Sequence, residues 1–173
     1  MAISPDGKTI VVADSDTNLR AWSTKNGELL RLMDELPVAT FAVAFSPDGR
    51  YLATGGVDRL VSLWDAQTWR LVRQIPGQPE MVSALAFSPD GRLLVTGGFN
   101  DISNREPTTI LLRSVESGEI LRRIPSPHAV VSTVFSPDGR HFATTHRGNG
   151  VSLWAVPQDK TSERNLAAPS RNK

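Results

Sequence analysis

Few residues in this chain are of a type that does chemistry. There is no cysteine, which excludes a thiol nucleophile, a disulfide framework and a Cys-ligated zinc or iron–sulfur site. The three histidines are His128, His141 and His146. None stands in an H-E-x-x-H or related metal spacing. His141 falls in a strand slot that holds Tyr51 elsewhere in the chain, which makes it a surface residue, and His146 adjoins a turn. Asp14-Ser15-Asp16 has a D-x-D spacing, but the closing Glu of a calcium loop is missing, and Asp and Ser are ordinary turn formers. Gly55-Gly56 and Gly97-Gly98 match neither G-x-G-x-x-G nor a P-loop, and no helix follows to present its N-terminus to phosphate. There is no G-x-S-x-G elbow. No catalytic residues, metal ligands or cofactor cradle emerge, and the expectation is a chain with no cofactor that is not an enzyme.

Composition points the same way. The chain has 173 residues, enough for one domain with its own core, and a formal charge of +1. Arginine supplies 15 of the 19 basic residues but is spread along the whole length. A near-neutral chain without a basic track argues against nucleic acid and against a membrane surface as partner. No apolar run approaches the roughly 18 residues of a membrane-spanning helix. The start, MAISPDGKTI, lacks the basic and apolar regions of a secretory signal, so cytoplasmic is the default expectation.

The positioning framework is a repeat. Ser-Pro-Asp-Gly occurs at Ser4–Gly7, Ser46–Gly49, Ser88–Gly91 and Ser136–Gly139, in steps of 42, 42 and 48 residues. Trp22, Trp64 and Trp154 each follow the serine of their own motif by 18 residues. In the third unit the matching residue is Arg113, 25 residues on, so that unit carries an insert of seven. Each unit reads as short apolar strands split by Gly, Pro and Asp, an antiparallel pattern. In SPDG the proline presets φ, and the glycine accepts φ > 0 where a hairpin bulge forms. Labelled a to d in chain order, strand a alternates small with larger residues (Ala42, Val43, Ala44, Phe45), whereas strand d pairs apolar residues with arginine (Leu71, Val72, Arg73). That gradient suits sheets radiating from an axis, with strand d outermost and half solvated.

Phe45–Asp65, FSPDGRYLATGGVDRLVSLWD, resembles the core of a WD40 repeat, a β-propeller unit of about 40–45 residues with Trp-Asp near its end. The same register fits the other three units. The resemblance implies an all-β propeller segment of four blade units with about 14 antiparallel strands. It spans residues 1–156 in units of about 1–33, 38–75, 82–124 and 130–156, followed by a polar, disordered tail over 157–173. Family blades often link a His before strand a, a Ser or Thr in strand b, an Asp in the b–c turn and the Trp of strand c by hydrogen bonds. Thr54, Asp58 and Trp64 match three of these positions. Asp16 and Trp22 match in the first unit, Thr96 in the third, and Thr144 and Trp154 in the fourth; Gln78 stands at the His position of the third. The network is therefore expected to be partial.

The end units are expected to be incomplete. The first retains only Met1–Ser4 of strand a, and the fourth lacks an apolar strand d. An open or incomplete propeller follows: a piece of a longer propeller, an arc that pairs with a second copy through its open edges, or a distorted four-blade monomer. The insert of unit three, Phe99–Pro107, lengthens its b–c loop. In the family this loop shares a face with the d–a connections, a face that often receives peptides. Phe99, Asn100, Asp101, Arg105 and Glu106 are the candidate partner-binding residues, against the alternative that a surface loop drifts in length without consequence. The resemblance implies a non-catalytic scaffold for protein–protein contact. The alternatives are a regulatory or sensor segment of a larger protein, and a propeller hydrolase or lactonase.

Overall fold

The computed structural model describes residues 1–14, 18–33, 39–100, 107–148 and 150–157. They form four antiparallel sheets, or blades, each built from strands in chain order. The first contains β1 (Ala2–Ile3), β2 (Thr9–Ala13), β3 (Leu19–Ser23) and β4 (Leu29–Met33). The second contains β5 (Thr40–Phe45), β6 (Tyr51–Gly56), β7 (Val61–Asp65) and β8 (Leu71–Ile75). The third contains β9 (Met81–Phe87), β10 (Leu93–Phe99), β11 (Thr108–Ser114) and β12 (Ile120–Ser126). The fourth contains β13 (Val130–Phe135), β14 (His141–His146) and β15 (Gly150–Ala155).

The expected count of about 14 strands becomes fifteen among the described residues. The difference lies in the first blade: Ala2 and Ile3 pair with Val11 and Ile10, so its inner strand is short but present. A two-residue ladder is too brief for a hydrophobic pattern to announce it. The expected tail over 157–173 lies outside the described residues from position 158 onward.

The SPDG motifs close the a–b hairpins. In each, the serine hydroxyl donates to the aspartate carboxylate at 2.5–2.6 Å, and that carboxylate accepts the backbone N–H two residues on at 3.0 Å. The four glycines sit at φ +69 to +71°, a region that glycine enters without a steric penalty. The serine hydroxyl also holds the carboxyls of Asp6, Asp48 and Asp138 below their ordinary pKa. These groups are turn anchors. The c–d turns use the same device at Gly27 and Gly118, but the second blade puts Trp69 there at φ +60°. Trp69 packs against the cluster between blades one and two, which offsets a backbone penalty of order 1 kcal/mol.

Burial follows blade position. Strands β6 and β10 are covered on both faces, and β4 is almost wholly exposed. The front of each blade packs on the back of the next. Val11, Leu19 and Ala21 of the first meet Leu52, Phe45 and Trp64 of the second. Ala53, Val61 and Leu63 of the second meet Leu85, Phe87 and Leu94 of the third. Val95, Ile110 and Leu112 of the third meet Phe135, Phe142 and Trp154 of the fourth. Each buried Val, Leu or Phe contributes roughly 1.5–3 kcal/mol, so these three seams hold the fold.

Two glycines permit the approach. A Cβ on Gly55 would collide with Val82 of the next blade, and one on Gly97 would lie 2.8 Å from Val130. The equivalent residue of the fourth blade is Thr145, which is exposed. Gly97→Ala is expected to lower the unfolding free energy by about 1–3 kcal/mol, as overpacking does. Thr145→Val should change it by less than about 0.5 kcal/mol. Urea titration of the two variants checks the contrast.

Candidate functional site

Strand pairing decides which polar side chains meet. In β14, alternation puts Phe142, Thr144 and His146 on one face, and register sets Thr144 opposite Ser152 and Phe142 opposite Trp154. Trp154 Nε1–H donates to Thr144 Oγ1 at 2.9 Å. His146 Nε2 lies 3.1 Å from Thr144 Oγ1 and 3.0 Å from Ser152 Oγ. Its Nδ1 lies 3.2 Å from Ser126 Oγ, whose own proton goes to the His128 carbonyl at 2.7 Å. That last bond assigns the tautomer: Nδ1 carries the proton and donates to Ser126, and Nε2 accepts from the hydroxyls. A continuous donor chain runs from the Trp154 indole to a backbone carbonyl, and it ties blade three to blade four.

The blades that the sequence resembles often carry a histidine before strand a; here the histidine ends strand b. Spacing gave no hint of this, but the two-residue alternation of Thr144 and His146 carried the signal. The Ser126–His146 pair resembles a nucleophile and its base, yet Ser126 is fully buried and its hydroxyl is committed to a carbonyl. A substrate has no access to it.

The third blade solves the same problem differently. Thr96 donates to Gln78 Oε1 at 2.8 Å, and Gln78 Nε2 donates to Thr109 O at 3.0 Å and to Glu80 Oε2 at 3.1 Å. Gln78 therefore acts from the His position. Arg113 occupies the tryptophan position, paired with Leu94 as Trp64 is with Leu52. It is 1% exposed and donates to the carbonyls of Pro76 at 3.0 Å and Gly118 at 3.4 Å, while Nε and one terminal nitrogen find no partner. Burial, reinforced by the nearby Arg123 charge, lowers its pKa. Arg73 crosses the same seam, donating to the carbonyls of Val115 and Glu116.

In the second blade Trp64 Nε1–H donates to Thr54 Oγ1 at 3.0 Å. Asp58 does not join them; it accepts Leu60 N–H at 3.1 Å and shapes the b–c turn. Trp22 has Val12 rather than a hydroxyl on its neighbouring strand, and Asp16 lies outside the described residues. His141 is exposed, as expected of a strand-surface residue. Among the described residues no three of His, Asp and Glu converge as a metal site.

Of the candidate partner loop, Phe99 and Asn100 are described, whereas Asp101, Arg105 and Glu106 lie outside the described residues. Phe99 reaches across to the second blade, its ring centroid 5.5 Å from that of Phe41. Phe41 is the extra residue of a β-bulge between Thr40 and Ala42, which turns its side chain out of the ladder and leaves it 46% exposed. Sequence reading missed Phe41, because alternation cannot locate a bulge.

These networks carry two expected outcomes. Burial holds His146 below its ordinary pKa of 6.5, so the folded chain binds fewer protons there than the unfolded chain. Stability is full above that value and falls as pH drops below it toward the folded pKa. His146→Gln, which supplies the kind of amide that Gln78 offers Thr96, should flatten this part of the stability–pH curve measured by denaturant titration. Arg113→Trp should stabilise by about 1–3 kcal/mol in the same titration, since it removes a buried charge without a carboxylate partner and offers Thr96 an indole donor.

A family model described as WD domain, G-beta repeat matches residues 37–65, 69–102 and 118–155, more than half of the chain. No curated protein matches it. The matched segments run through the tryptophan strands of blades two and four and the strand-b threonines Thr54, Thr96 and Thr144. On that match and this architecture, the chain belongs to the WD40 repeat family.

Proposed function

We propose that the chain is a non-catalytic platform that holds a protein or peptide partner. WD40 repeats generally mediate protein–protein contact, and their blades can fix binding groups in space at little ordering cost. The observation that carries the reading is the Phe41–Phe99 pair. Two aromatic rings from adjacent blades meet at the end of strand b where the insert begins, and Phe41 is exposed although no core requires it there. Aromatic anchors of this kind dominate binding energy at interfaces. Val57, also exposed, lies at the corresponding end of β6 in the second blade and extends the apolar surface. The partner is a segment with apolar side chains. Near-neutral charge gives no attraction to nucleic acid or to an anionic membrane, and the cytoplasm is the proposed setting.

The test is selection of peptides from a random display library with this chain as bait. Selected peptides should lose at least about tenfold in affinity against Phe41→Ser and Phe99→Ser variants whose thermal unfolding is unchanged. Peptide binding indifferent to both residues, or stoichiometric metal together with hydrolase turnover, would overturn the reading.

A further inference from the structure

The three internal seams define two kinds of blade face, and the first and fourth blades each expose one of them. A front face carries the residues equivalent to Ala53, Val61 and Leu63; a back face carries those equivalent to Phe45, Leu52 and Trp64. In blades one to three the front residues are buried. In the fourth blade they are Ala143, Val151 and Leu153, and Val151 is 74% and Leu153 65% exposed, flanked by Val134 at 61%. The back face of the first blade is Ile3, Ile10 and Trp22, with Ile3 59% exposed and the other two partly so. None of these residues is charged.

We infer that the front of the fourth blade is a self-association surface, and that its occupant is the back of the first blade of a second copy of this chain. The contact continues the series already present in the fold: apolar front on aromatic back, three times within the chain and once more between chains. Front and back differ, so the junction is heterologous, and two such junctions related by a twofold axis close a ring. Two chains of four blades give eight, within the range in which propellers close.

The test uses the full chain and light-scattering mass. A species of twice 18.8 kDa is expected at concentrations up to about 100 μM. Leu153→Asp and Ile3→Asp, both at exposed positions, should each give a monomer with unchanged circular dichroism and thermal unfolding. Mixing the two variants should restore a dimer, because the intact back of one meets the intact front of the other. A wild-type monomer throughout, a dimer indifferent to either change, failure of the mixture to recombine, or a ladder of larger oligomers would each overturn the proposal.

Discussion

A sheet with two apolar faces cannot be stable by itself, and blades one to three each cover their front only with the back of the next. That front-to-back contact explains features that look unrelated along the chain. Strand b is apolar on both sides because it lies at the centre of a stack. Gly55 and Gly97 are glycines because the neighbouring blade comes within a methyl group of the backbone. The SPDG turns stack as well: Gly49, Gly91 and Gly139 approach the proline of the preceding blade, where a Cβ would be 3.5–3.8 Å away. One motif therefore closes its own hairpin and spaces the next. The half-solvated strand d enters this seam through one apolar residue in each blade, Met33, Ile75 or Ile124, and Arg73 caps carbonyls across the joint.

The hydroxyl in strand b raises a second constraint, because a polar group buried in each seam must be satisfied. The chain meets that need in three ways. Thr54 accepts an indole N–H, Thr96 donates to the amide of Gln78, and Thr144 joins an indole and an imidazole. What persists is the hydroxyl and the need for a partner, while the partner's identity and origin vary. Arg113 shows the limit of this freedom. Its guanidinium stands at the tryptophan position but leaves two nitrogens without acceptors, a penalty the rest of the seam absorbs.

The amino-acid sequence by itself determined the period, the strand order within each unit, the hairpin turns and the kinship with WD40 repeats. All of these depend on local sterics and on side-chain alternation, and so they are written in consecutive residues. The resemblance implied the pairing of Thr54 with Trp64 and of Thr144 with Trp154, and in the structure the b–c register brings these positions, ten apart, together. Tertiary structure decided the rest. His146 entered the network from the end of strand b, and Asp58 stayed outside it, because a hydrogen bond depends on which strands share a seam. Phe41 met Phe99 only through a bulge and the packing of two blades. The burial of Leu63 and the exposure of Leu153 are the sharpest case. The two leucines occupy the same place in the same local motif, and whether each meets water depends on what stands in front of its sheet.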